Sequence, residues 1–62
     1  MTKNEKAICE SIKKHSTSWQ KQTDEFIINF CLAVPKIEEL ISNKGYTIDD
    51  AVKYVFAHPD LV

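Results

Sequence analysis

The sequence predicts a small all-α protein: a bundle of three or four helices in a single domain, residues 1–62, with a long central helix kinked or broken near Pro35. Three observations predict this class. Apolar residues recur at helical spacing along most of the chain. Capping residues precede the apolar stretches. The chain of 62 residues is 44% hydrophobic and 27% charged, which suits one core and is too apolar for disorder.

The first helix is predicted to begin at Thr2. Thr2 and Glu5 have the spacing of a capping box. Ile8, Cys9 and Ile12 form an apolar stripe behind them. Because the stripe is narrow, we expect this helix to be mostly solvated.

The central helix is predicted to begin near Thr17, which forms a second possible capping box with Gln20. One long apolar face follows, formed by Trp19, Phe26, Phe30, Ala33, Ile37, Leu40 and Ile41. Pro35 interrupts the helix but not the apolar phase, which favours a kinked helix or two helices nearly in line. The alternative is that residues 26–34 form a buried strand.

The last helix is predicted to follow a sharp stop at Gly45 and to end at His58. Thr47 is its predicted N-cap, and Asp49 and Asp50 lie in its first turn, where the helix dipole favours acidic residues. The predicted core of the whole bundle is Trp19, Ile37, Ile41, Val52 and Phe56.

Composition restricts the partners and the compartment. The formal net charge of -1 gives no electrostatic reason to expect nucleic acid or an anionic membrane as partner. No apolar run approaches the roughly 20 residues of a membrane span, and the polar start does not fit a secretory signal. We therefore predict a cytoplasmic protein with reduced thiols. Eight Lys without Arg, and more Ile than Leu, would suit an AT-rich phage or mobile-element gene.

The sequence predicts no enzyme, cofactor, metal site or small-molecule substrate. Cys9, Cys31, His15 and His58 lack the paired spacing of zinc ligands. In a helical hairpin the two cysteines would be about 10 Å out of register, which predicts free thiols. The adjacent acidic pairs do not share a helix face, so we interpret them as caps and solvated positions.

A DNA-binding regulator is the alternative function. The segment Gly45-Tyr46-Thr47 followed by Ala51 resembles the turn of a helix-turn-helix protein. The resemblance implies a recognition helix after Thr47 and a basic patch, for which the chain offers Lys13, Lys14, Lys21, Lys36 and Lys44. The start of that helix is acidic, however, and the chain has no Arg for base contacts.

The central apolar run predicts an interface. Eight of the nine residues from Phe26 to Val34 are apolar, and on a helix they would point in every direction. A domain this small cannot cover all of them, so we expect a second copy of the chain, another protein, or both to do so. The predicted interface residues are Phe26, Ile27, Phe30 and Leu32. The predicted function is a small protein-binding regulator, adaptor or inhibitor, most simply a homodimer, that acts by occupying a surface.

Overall fold

A computed structural model describes residues 1–58 and consists, over that part of the chain, of four α-helices without strands. The helices are α1 (Lys3–His15), α2 (Asp24–Phe30), α3 (Ala33–Lys44) and α4 (Ile48–Ala57). Helix α1 packs against α4 and α2, and α3 packs against α4. The predicted all-α bundle is confirmed, and the alternative of a strand at residues 26–34 is wrong.

Helix α1 begins as predicted but is not a solvated helix. The Thr2 hydroxyl accepts a hydrogen bond from the Glu5 amide, and the Glu5 carboxylate accepts one from the Thr2 amide. Ile8, Cys9 and Ile12 are fully buried. A narrow stripe suffices for burial here because α2 and α4 both pack on α1.

The central helical region begins at a different residue from the one predicted. Residues 16–23 connect α1 to α2 through turns, so Thr17 is not a helix N-cap. Helix α2 begins instead after Thr23, whose hydroxyl accepts a hydrogen bond from the Phe26 amide. Asp24 and Glu25 then lie in the first turn, where the helix dipole stabilises their negative charges.

Pro35 lies in the first turn of α3, where backbone N–H groups have no acceptor within the helix. The missing N–H of proline therefore costs no helical hydrogen bond there. The chain therefore breaks between Phe30 and Ala33 and does not kink within one helix. Cys31 and Leu32 form the connection, and the Cys31 amide still donates to the Ile27 carbonyl. This break turns α2 into a separate short helix.

Helices α3 and α4 meet at the predicted turn. Gly45 has φ 72°, a left-handed conformation that ends α3. Thr47 caps α4 by accepting a hydrogen bond from the Asp50 amide, as predicted.

The core lies where the four helices meet. Ile37 and Val52 are fully buried as predicted, whereas Trp19, Ile41 and Phe56 are half-buried and pack against the core from its edge. The buried apolar residues are Ile8, Cys9, Ile12, Ile27, Cys31, Ala33, Val34, Ile37, Leu40, Ala51, Val52 and Val55.

Candidate protein-binding surface

Helix α2 buries only one side. Ile27 points into the core and is 0% exposed, while Phe26 and Phe30 are 41% and 63% exposed. Phe26 and Phe30 are four residues apart, so they share one face of the helix. A seven-residue helix with two outward phenyl rings leaves apolar area uncovered.

Leu32 is the most exposed large apolar side chain of the described chain, at 76%. It stands in the connection between α2 and α3, and both of its neighbours, Cys31 and Ala33, are buried. Because those neighbours occupy the inner side of the connection, Leu32 is left on the outside.

Trp19 adds a third aromatic ring beside the exposed rings of Phe26 and Phe30. The ring centroids of Phe26 and Phe30 are 4.7 Å apart, and those of Trp19 and Phe26 are 6.1 Å apart, both pairs being tilted. These distances are typical of favourable aromatic contacts. We call Trp19, Phe26, Phe30 and Leu32 together the aromatic surface.

A cavity of about 350 Å³ opens within this surface. Trp19, Phe30 and Leu32 form part of its lining, and the rest comes from Cys31, Ala33, Val55 and Phe56. Every lining residue is apolar or a thiol, so the cavity suits an apolar side chain better than a charged ligand.

Ile27 does not belong to the aromatic surface, although the sequence predicts it as an interface residue. Its side chain is fully enclosed among core residues, since α1 covers this side of α2. Phe26, Phe30 and Leu32 are exposed as an interface requires. Trp19 was predicted as core, and its place at the edge of the cavity depends on the turn at residues 16–23, which no local pattern indicated.

Polar contacts fix the start of α2 on α1. The Lys13 ammonium lies 2.6 Å from the Asp24 carboxylate, and the Cys9 thiol donates to the Asp24 carbonyl at 3.6 Å. Burial raises the pKa of the Cys9 thiol, and the nearby Asp24 charge raises it further. This end of α2 is therefore anchored, and the aromatic surface is presented from a fixed position.

The two thiols are both free and buried. Cys9 contacts the first residue of α2, whereas Cys31 follows its last residue. The two free thiols therefore lie near opposite ends of α2. Among residues 1–58, no group of His, Cys, Asp and Glu is arranged to hold a metal ion.

The start of α4 faces α1 and carries two acidic residues, Asp49 and Asp50. Asp49 accepts a 2.6 Å hydrogen bond from Ser11 and lies 3.6 Å from the Lys14 ammonium. The hydrogen bond from Ser11 lowers the pKa of Asp49, and the Lys14 charge lowers it further. In a helix-turn-helix protein this turn would contact bases, whereas here Asp49 is engaged in contacts with α1.

The lysines of the alternative DNA-binding interpretation are partly paired. Lys13 pairs with Asp24, Lys14 with Asp49, and Lys36 lies 3.9 Å from Glu39. Each pair reduces the positive charge available to phosphates. None of the four described helices is long and apolar enough to cross a bilayer.

Comparisons with known proteins give no family for this chain. No protein-family model matches the chain, and neither a curated protein nor a solved structure matches it.

Proposed function

We propose that this protein is a small protein–protein interaction module, a regulator, adaptor or inhibitor that acts by occupying a surface, and that it associates with itself through the aromatic surface. The observation that carries the proposal is the exposure of Phe26, Phe30 and Leu32, of which Phe30 and Leu32 also line an apolar cavity. The two buried, free thiols support a cytoplasmic site of action, where they would stay reduced.

The exposed apolar area is sufficient for a weak dimer. An aromatic side chain has roughly 150–250 Å² of surface, so the exposed fractions of Phe26, Phe30 and Leu32 amount to on the order of 300 Å². If about 60% of an interface is apolar, each copy contributes about 500 Å². The total of about 1,000 Å² is the lower limit for a specific interface.

Electrostatics does not oppose self-association. Two copies with a formal net charge of -1 each repel one another only weakly at physiological salt. The aromatic surface itself consists of uncharged side chains, so pairing two such surfaces buries no unpaired charge within them.

Sedimentation equilibrium in reducing buffer, over micromolar to millimolar concentrations, tests the proposal. We expect the wild-type chain to form dimers and Phe30→Asp to remain monomeric, because it places a charge at the centre of the aromatic surface. Circular dichroism must show that the variant remains helical. We expect it to do so because the replaced residue, Phe30, is 63% exposed. Tyr54→Asp is the matched control, since Tyr54 is also exposed but packs against Tyr46 and lines a different recess from the one beside Leu32.

A wild-type chain that is monomeric over the whole range contradicts the proposal. So does a Phe30→Asp variant that is folded and associates as well as the wild type. Loss of association in Tyr54→Asp as well would mean that the interface is not confined to the aromatic surface.

A further inference from the structure

The aromatic surface contains both a projection and a recess. Leu32 projects with 76% of its surface exposed, and the cavity of about 350 Å³ lies directly beside it. A surface that is only convex or only concave fits a partner surface of the opposite shape. A surface with both features can be complementary to itself.

The cavity is large enough for a leucine side chain. A buried apolar cavity of about 150 Å³ accommodates benzene, which is bulkier than an isobutyl group. The lining by Trp19, Val55 and Phe56 offers dispersion contacts and no charged group. Entry of Leu32 from a second copy would therefore bury apolar area on both partners.

Symmetry decides how many such contacts form at once. Leu32 is itself part of the cavity rim, so projection and recess are separated by no more than the width of the cavity. Two copies related by a twofold axis form both contacts together and close the assembly. A head-to-tail arrangement would form one contact per pair and produce larger rings or open chains.

We infer that two copies pack about a twofold axis, with Leu32 of each copy seated in the cavity of the other beneath Trp19 and Phe56. This inference depends on the self-association put forward as the proposed function. It adds the geometry of the contact and identifies the residue that enters the cavity.

Trp19 gives a direct measurement, because it is the only tryptophan and lines the cavity. We expect its emission maximum to shift to shorter wavelength with rising protein concentration, following the dimer fraction from sedimentation equilibrium. Leu32→Lys should weaken association at least tenfold and abolish the shift. Tyr54→Lys is the matched control and should change the dissociation constant less than twofold.

A mixing experiment separates the inferred geometry from a contact between the two Leu32 side chains. If Leu32 enters the partner's cavity, an equimolar mixture of Leu32→Lys and Phe56→Glu recovers dimers that neither variant forms alone, because the introduced ammonium of one copy then meets the introduced carboxylate of the other. The second Leu32 of such a pair enters an unaltered cavity. A mixture that stays monomeric while both variants remain helical overturns the inference.

The remaining outcomes are also decisive. A wild-type dimer without a Trp19 shift overturns the seating of Leu32 but leaves the proposed self-association standing. Oligomers that grow with concentration overturn the twofold arrangement alone. A wild-type chain that is monomeric at every concentration overturns both proposals.

Discussion

Ser11 on α1 donates a 2.6 Å hydrogen bond to Asp49 in the first turn of α4, linking two residues that are 38 positions apart in the sequence. Ser11 is the buried polar side chain of α1, so this contact satisfies a hydroxyl group that water does not reach. Lys14 and His15 approach the same carboxylate, at 3.6 and 3.8 Å. One acidic residue thus makes polar contacts that link the first and last helices of the described chain.

The first prediction concerns acid sensitivity. Because the pKa of Asp49 is lower in the folded chain than in the unfolded chain, the unfolded state takes up a proton first as pH falls. The contribution of Asp49 to stability is therefore complete above about pH 4, the ordinary range of an aspartate, and is lost as pH falls through the folded-state pKa. Urea unfolding followed by circular dichroism from pH 7 to pH 2.5 measures this loss.

Ser11→Ala isolates this contribution from those of other carboxylates. Without the hydroxyl group the pKa of Asp49 should return toward its ordinary value, so the variant should be less stable at neutral pH. The difference from wild type should shrink below about pH 4. A difference that stays constant over the whole pH range would mean that the Ser11 contact does not stabilise the ionised form.

The second prediction concerns Ile27, the buried residue of α2. Ile27→Val should lower the free energy of unfolding by about 0.5–1.5 kcal/mol, because it removes one methylene from a fully packed site. Ile28→Val is the matched control, since Ile28 is only partly buried and should cost less. Urea denaturation measures both. An equal cost for the two substitutions would contradict the inward position of Ile27.

The local signals of the sequence were sufficient for three helix boundaries. The contacts of Thr2, Gly45 and Thr47 all lie within a few residues along the chain, so the local sequence is sufficient to predict these boundaries. The start of α2 is different, because Thr17 and Thr23 are both followed by plausible first turns. The choice of Thr23 is supported by Lys13, which pairs with Asp24 from another helix.

The direction of side chains on α2 was the part of the candidate surface that the sequence did not determine. Phe26, Ile27 and Phe30 are all apolar, and a run of apolar residues has no polar side to orient it. The packing of α1 on α2 decides that Ile27 is inside and the two phenylalanines are outside. The exposure of Leu32 likewise depends on the helix break before Pro35.

The third prediction concerns Gly45 at the end of α3. Its φ of 72° is costly for residues with a Cβ atom, so Gly45→Ala should destabilise the fold by about 1–2 kcal/mol. An added Cβ would meet no atom within 4 Å, so the cost is one of backbone conformation and not of a clash. Gly45→Asn should cost less, because asparagine adopts the left-handed conformation more readily. Thermal unfolding of the two variants checks the order.

The last prediction concerns the reactivity of the two thiols. Cys9 is fully buried and its pKa is raised by burial and by Asp24, so little thiolate is present near neutral pH. Cys31 retains 5% exposure and lines the cavity, which gives a reagent a path to it. An aromatic disulfide reagent at low protein concentration should therefore modify Cys31 before Cys9, with mass spectrometry assigning the order.

Denaturant provides the control for this order. In urea both thiols lose their surroundings and should react at similar, faster rates. If Cys9 reacts first in the native protein, the Cys9 site opens more readily than the cavity, and the tight packing of α2 on α1 would be contradicted. If Cys31 reacts first but slows as protein concentration rises, the cavity is being closed by a second copy.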